Sequence, residues 1–207
     1  MISSDKLDEF VTLAQDIAAA LGGTVTKPPT AENYWYAEIN TAQMPVALDL
    51  RGADGRVGAS PVWPRYKDER GNRQGVYGRD VLDYEQRKNP PTTDISSAIS
   101  RGAVAIAKDI QRRLFPSALP VYQAAVKRCA DNEAHVDGKA ATTRRLGKAL
   151  GVEVHDNGAR ASLYVDGGLV LSISSADSVR FEHMYVDPDT AIAIVKLVQA
   201  AKKDEQA

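Results

Sequence analysis

Ile17-Ala18-Ala19-Ala20-Leu21-Gly22 near the start of the chain is answered by Leu146-Gly147-Lys148-Ala149-Leu150-Gly151 much later, and each leads into a short β-prone stretch, Thr24-Val25-Thr26 and Val152-Glu153-Val154. The copies also end alike. Ser100-Arg101-Gly102-Ala103-Val104-Ala105-Ile106-Ala107 and Asp187-Pro188-Asp189-Thr190-Ala191-Ile192-Ala193-Ile194 each set a capping side chain ahead of an Ala/Ile helix. An imperfect repeat of this kind implies two copies of one supersecondary unit. The expected fold is α+β, with two related helix–antiparallel sheet–helix units over residues 1–115 and 139–207 joined by a helical linker over 116–138. Two copies fit either two sheets packed as a pseudo-symmetric pair or one continuous sheet covered by helices.

Within the first unit the spacing of Leu7, Phe10, Val11, Ala14, Ile17 and Leu21 predicts a helix over 5–21, with Ser4 as its N-cap and Gly22-Gly23 as its stop. Strands are expected over 24–27, 34–40, 46–51 and 56–63, because β-prone runs there are separated by Pro28-Pro29 and by Gly52-Ala53-Asp54-Gly55. Tyr34, Tyr36 and Glu38 alternate with Trp35, Ala37 and Ile39, the pattern of a half-exposed antiparallel sheet. Leu114-Phe115-Pro116 is expected to end one helix and Ser117 to cap the next, with Pro120 in its first turn. In the second unit a helix over 140–150 precedes strands over 152–155, 161–165, 169–174 and 179–186. Asp166-Gly167-Gly168 makes a hairpin turn there, and a final helix covers 188–203.

A chain of 207 residues, 43% of them hydrophobic, can bury a sound core. Its apolar runs fall well short of the roughly 20 residues that span a bilayer. Met1-Ile2-Ser3-Ser4-Asp5 lacks a basic region followed by an apolar one, so a cytoplasmic location with no membrane contact is expected. The single Cys129 cannot close an internal disulfide and reads as a buried, inert thiol beside Tyr122, Ala125 and Val126.

The order Trp63-Pro64-Arg65, then a strand, then Ala105-Ile106-Ala107-Lys108-Asp109-Ile110-Gln111-Arg112-Arg113-Leu114-Phe115-Pro116 and Tyr122 resembles uncharacterised proteins of bacteria and their phages. The resemblance covers residues 60–150 and brings no activity with it. It implies a phage or mobile-element accessory protein.

Charge is segregated along the chain. Residues 1–60 carry four Lys/Arg against eight Asp/Glu, residues 61–148 carry seventeen against ten, and residues 149–207 carry five against nine. The resulting −4, +7 and −4 put a basic centre between acidic flanks, a pattern that suits a polyanion or an acidic partner. At 100° per residue Arg101, Lys108 and Arg112 fall within about 40° of one another, opposite Ile106, Ile110 and Leu114. Together with Arg113, Lys127, Arg128, Arg144 and Arg145 they are the candidate contacts to a nucleic-acid backbone, with Lys139 and Lys148 adding charge nearby.

The first copy is lengthened by an insertion over 64–93, rich in Gly, Arg, Tyr and Asp and expected as a loop or long irregular hairpin lying outside the core. Trp63, Arg65, Tyr66, Arg73, Tyr77, Arg79 and Tyr84 form the candidate protein-binding set, since rigid aromatics beside Arg anchor interfaces. Trp35 and Trp63 also fit core positions. The acids Asp68, Glu69, Asp80, Asp83 and Glu85 dilute the segment to +2.

Catalytic constellations are sparse. His135, His155 and His183 are scattered, and Glu182-His183 and His155-Asp156 pair an imidazole with a neighbour that a strand would turn to the opposite face. No metal motif, phosphate loop, dinucleotide fingerprint or nucleophile elbow is present in the sequence. The expectation is therefore a non-catalytic binding protein with no cofactor, acting on a host protein or protein–nucleic-acid complex, such as an inhibitor of host defence. A nucleic-acid-binding accessory protein using the basic centre is the alternative. A small hydrolase or nuclease built on Asp68 and Glu69, or on Asp83 and Glu85, is more distant.

Overall fold

The N-terminal apolar stripe folds as helix α1 (Ser4–Ala20) in the computed structural model of the chain, which describes residues 4–30, 32–33, 35–51, 55–151, 162–165, 169–182, 186–190 and 192–194. Phe10, Ala14, Ile17 and Ala18 recur at three- and four-residue intervals and are fully buried, one face of a 3.6-residue period. Gly22 ends the helix by taking φ 67°. Its N–H donates to the Ala19 carbonyl at 3.0 Å and the Gly23 N–H to the Ala18 carbonyl at 2.8 Å, so two otherwise orphaned carbonyls are satisfied.

The chain divides into two units, residues 1–66 with 73–132, and residues 67–72 with 133–207. The first holds a five-stranded antiparallel sheet made of β1 (Thr24–Lys27), β2 (Tyr36–Asn40), β3 (Val46–Arg51), β4 (Arg56–Pro61) and β7 (Ile95–Ala98), in the order β1-β2-β3-β4-β7. Strict alternation assigns its faces. Ala37, Ile39, Val46, Leu48, Val57, Ala59 and Ile95 point inward with Phe10, Ala14 and Ile17 of α1, while Tyr36, Glu38, Asp49 and Arg51 occupy the alternate positions on the other face. Tyr34 lies outside the described residues. Trp35 precedes β2 and is exposed, not a core residue.

Between β4 and β7 the expected insertion is built from a hairpin, β5 (Arg65–Lys67) and β6 (Arg73–Gly75), and two short helices, α2 (Gly78–Val81) and α3 (Tyr84–Lys88). It does not lie outside the core. Val76 is 4% exposed and forms a cluster with Ala125 and Cys129, against which Trp63, Tyr66 and Val81 pack. The composition of the segment is polar, and only its few apolar positions carry this packing.

The C-terminal half of the first unit's core comes from helix α4 (Ala103–Asp109), a π-helical turn (Ile110–Leu114) and helix α5 (Phe115–Leu150). Two helices were expected where α5 runs without a break, and Pro116 and Pro120 do not interrupt it. The π turn explains the first proline. The Phe115 N–H reaches back five residues to the Ile110 carbonyl, and this wider turn precedes a residue that cannot donate and whose ring would crowd the carbonyl four residues earlier. It also sets the rotation. At about 100° per residue an uninterrupted helix would turn Ala118, Ala125 and Cys129 some 60–100° away from Ile110, whereas absorbing one extra residue returns them to within about 40°. All four are buried. Nor does Ser100 cap α4; Gly102, at φ 76°, holds that position.

In the second unit the end of α5 accompanies β8 (Ser162–Val165), β9 (Leu169–Ser175) and β10 (Ser178–Glu182), an antiparallel sheet in the order β10-β9-β8. Among the described residues the strands thus form three separate sheets, of five, three and two strands. Leu163, Leu171 and Ile173 are the core of the second unit, with Leu146 and Val179 packed on them. A Cβ on Gly138 would lie 2.9 Å from that of Ala176, and Thr142 Oγ1 donates to the Ala176 carbonyl at 2.6 Å. Tertiary contact therefore offsets the roughly 1 kcal/mol that a mid-helix glycine costs, and the helix continues where the sequence suggested a gap. Asp187 caps the helical residues that follow it, accepting from the Thr190 N–H at 3.0 Å and from its hydroxyl at 2.6 Å. The strand expected over 152–155, the turn over 166–168, His155, His183 and the end of the final helix lie outside the described residues. Among the described residues no helix is long and apolar enough to cross a membrane.

Gly78 tests how the insertion is anchored. A Cβ there would lie 2.9 Å from the Trp63 ring and 3.3 Å from Val121, so Gly78→Ala should destabilise the protein by about 1–3 kcal/mol, while Tyr84→Ala should change stability by less than about 0.5 kcal/mol. Urea unfolding of both variants decides the matter; equal midpoints would mean that the insertion is not packed on α5.

Candidate interaction surface

Local hydrogen bonds give the insertion its shape. Asp80 accepts from the Tyr77 N–H at 2.8 Å at the start of α2. Asp83 accepts from the Gln86 N–H at 2.8 Å while Gln86 Oε1 accepts from the Asp83 N–H at 3.1 Å, a reciprocal capping box at the start of α3. Glu85 pairs with Lys88 at 2.8 Å, and the Lys88 ammonium lies 4.6 Å from the centre of the Tyr84 ring. In the second unit Asp68 accepts from the Arg70 and Asn72 N–H groups at 2.9 Å, and Glu69 pairs with Lys139 at 2.6 Å. Four of the five acids that reduce the segment's charge are thus engaged within it, and the fifth, Glu69, pairs with Lys139 of α5. Of the carboxylates named above for hydrolysis, Asp83 caps a helix, Asp68 accepts main-chain N–H groups, and Glu69 and Glu85 are in ion pairs.

The protein-binding candidates separate into two groups. Trp63 and Tyr66 pack internally, with Trp63 also 6.5 Å from the Tyr122 ring, and burial pushes the Tyr122 hydroxyl up. Arg65, Arg73 and Arg79 are exposed, Tyr77 is 47% and Tyr84 75% exposed. The aromatics that remain available are the two tyrosines.

The basic stripe is also divided. Arg101 belongs to a 3₁₀ turn (Ile99–Arg101) ahead of α4, so it is not the first residue of a helical stripe. Its guanidinium pairs with Asp109, whose side chain is 4% exposed and which also accepts from Ser97 Oγ at 2.9 Å. Burial pushes the Asp109 carboxyl up, but the hydrogen bonds from Ser97 and Arg101 and the charges of Arg101 and Arg113 outweigh it and hold the group below its usual range. Lys108, Arg112, Arg113, Lys127 and Arg128 are exposed in the first unit, with Arg112 Nη2 3.8 Å from Asp109, and Arg144 and Arg145 are exposed in the second.

The polar face of the five-stranded sheet carries pairings that residue order does not indicate. On the side of the five-stranded sheet away from α1, the Tyr36 hydroxyl donates to Glu38 at 2.9 Å and Lys27 lies 5.0 Å from the ring centre. Burial, followed by the bond to Glu38, raises the Tyr36 pKa to about 12. Arg51 pairs with Asp49 at 2.8 Å and with Asp94, and these two carboxylates push its pKa up. Its guanidinium lies over Gly58, where a Cβ would collide with it. Alternation in β2 and β3 signalled a polar face, but the partner Asp94 is 43 residues away in sequence. Among the described residues no group of three or more His, Cys, Asp or Glu is placed to hold a metal ion.

Comparison with known proteins finds no matching family model, no matching curated protein and no matching solved structure.

Removing the Arg101 guanidinium leaves a buried carboxylate short of a partner, so Arg101→Ala should cost about 1–3 kcal/mol at neutral pH. A carboxyl with a depressed folded pKa contributes stability above its unfolded value of about 3.9 and loses it as pH falls through the lower folded one. The gap between parent and variant should accordingly be level above about pH 5 and narrow below about pH 4. Denaturant unfolding across this range measures it; a gap that persists undiminished near pH 3 would show that Asp109 is not the partner responsible.

Proposed function

We propose that the protein acts by binding rather than by catalysis, and that the insertion between β4 and β7 is the surface that meets its partner, a host protein or protein–nucleic-acid complex. The observation that carries this reading is the contrast within one ordered segment. Its acids are engaged in caps and ion pairs and its inner aromatics are packed, while Tyr77, Tyr84 and Arg79 are held outward on short capped helices. Exposed tyrosine and arginine on a pre-ordered scaffold lose little conformational entropy on association. An accessory factor of a phage or mobile element is part of the same proposal; it rests on the residue order over 60–150 alone, and no comparison adds to it. The same reading treats the two units as relatives, supported by the shared Leu-Gly stop at Gly22 and Gly151, both at φ 67°.

A second reading, contact with a nucleic-acid backbone through the basic centre, is favoured by the exposure of Lys108, Arg112, Arg113, Lys127 and Arg128. Arg101 is a weaker candidate because it serves Asp109.

The test is affinity capture from a host lysate, with and without nuclease, comparing the parent with the double variant Tyr84→Ala/Arg79→Glu. Both side chains are largely exposed, 75% for Tyr84 and 85% for the Arg79 side chain, so the melting temperature should move by less than about 2 °C. Capture of the partner should fall at least about tenfold. Undiminished capture by the double variant would remove the insertion from the interface, and capture lost with nuclease in the parent would shift the reading toward the basic centre.

A further inference from the structure

The β5–β6 hairpin has an inner and an outer face, and the outer one combines cations with an aromatic ring. The Val76 N–H donates to the Pro64 carbonyl at 3.0 Å, which in an antiparallel hairpin sets Tyr66 opposite Gln74 and Arg65 opposite Gly75. Tyr66 and Val76 share the inner face and pack on Ala125 and Cys129. Arg65, Arg73 and Gly75 therefore share the outer one, positions two apart on a strand being about 7 Å from each other. Gly75 carries no side chain there, and the Tyr77 ring fills the place, since a Cβ on Gly75 would lie 2.9 Å from the ring. The ring is thus backed by the main chain of β6 and remains 47% exposed.

This face continues onto the sheet. Arg65 lies close enough to the Tyr36 hydroxyl for its charge to act there, and Tyr36 touches the 47% exposed Trp35 edge to face, with ring centres 6.2 Å apart. The nearby carboxylates are already engaged. Glu38 accepts from Tyr36 and pairs with Lys27 at 3.7 Å, and Asp80 accepts from the Tyr77 N–H and lies 3.9 Å from the Arg79 guanidinium. Neither Arg65 nor Arg73 has an ion-pair partner among the described residues. The uncompensated charge on this path is positive, and aromatic rings alternate with it.

We infer that the outer face of the hairpin binds single-stranded nucleic acid, with a base stacked on Tyr77 and the flanking phosphates held by Arg65 and Arg73. The inference rests on the reading of the insertion as the partner surface and names the ligand class at one part of it. A flat ring backed by main chain and flanked by two guanidinium groups matches the alternation of base and phosphate along an unpaired strand. A duplex would offer the phosphates but no free base face. An acidic peptide would satisfy the arginines and leave the ring unused. Gly75 acts as a positioning residue, because only a hydrogen there lets the ring lie against the strand.

The experiment is fluorescence anisotropy with a labelled oligothymidylate of about 15 nucleotides, compared with a duplex of equal length and with poly-glutamate as competitor, over a range of salt. The parent should bind the single strand more tightly than the duplex. Tyr77→Ala should weaken it about 5- to 100-fold, and Tyr77→Phe should restore most of the loss. Arg65→Ala/Arg73→Ala should lower the slope of log K against log salt by about 1.4, the release expected for two phosphates. Gly75→Val should weaken binding as Tyr77→Ala does. The double arginine variant removes exposed groups, so it reports even if a Tyr77 variant unfolds. Equal affinity for single strand and duplex, displacement by poly-glutamate at equal charge concentration, or an unchanged salt slope in the double arginine variant would each overturn the inference. Should that happen while capture still depends on Tyr84 and Arg79, the insertion remains the partner surface and the partner there is a protein.

Discussion

Pro116 cannot donate to a helix, yet the first unit needs one continuous helix from Ala103 through Cys129 to complete its core. The five-residue π turn at Ile110–Leu114 meets both demands. It precedes the proline with a wider turn, and it takes up one residue without advancing the apolar face. Ile106 and Ile110 therefore face the sheet and α1, and Ala118 joins the same core. Ala125 and Cys129 follow in line and receive Val76 from the insertion. If the turn were an ordinary helical one, the downstream face would be rotated by most of a right angle and the insertion would lose its anchor.

The second organising feature is the way carboxylates are used. In the first unit Asp80 and Asp83 close short helices, Asp109 ties Arg101 to the sheet through Ser97, and Asp49 and Asp94 clamp Arg51 over Gly58. Each such acid is held in local structure, Asp80 and Asp83 by neutral main-chain donors and Asp49, Asp94 and Asp109 by arginines. Positive groups such as Arg65, Arg73 and Lys108 are left facing solvent. A formal charge near zero over the whole chain therefore says little about any one surface, because net charge counts groups irrespective of whether a neighbour already compensates them.

The insertion shows why composition misleads about packing. A stretch rich in Gly, Arg, Tyr and Asp suggests a solvated loop, and most of it is solvated. Two positions, Val76 and Gly78, decide otherwise, one by filling space beside Ala125 and the other by leaving space for Trp63. A single buried valine contributes little to a composition average but commits its neighbours to a fixed path, and that path determines which tyrosines remain outside.

Several things were legible from residue order alone. Helix α1 and its glycine stop follow from the period of Phe10, Ala14 and Ile17 and from the conformational freedom of Gly22, both local properties. The strands β1, β3 and β9, the mixed α+β class and the alternating faces of β2 are local in the same sense, since side-chain direction in a strand depends only on position parity. The tertiary structure alone decided the rest. That α5 runs unbroken through Pro116 and Gly138 depends on a backbone distortion upstream and on Ala176 across the second unit. That Arg101 serves a buried carboxylate, whereas Arg65 and Arg73 are exposed with no ion-pair partner among the described residues, depends on which groups long-range pairing brings within hydrogen-bond distance. Periodicity carries no information about such partners, because the energy of a contact is set by separation in space and not along the chain.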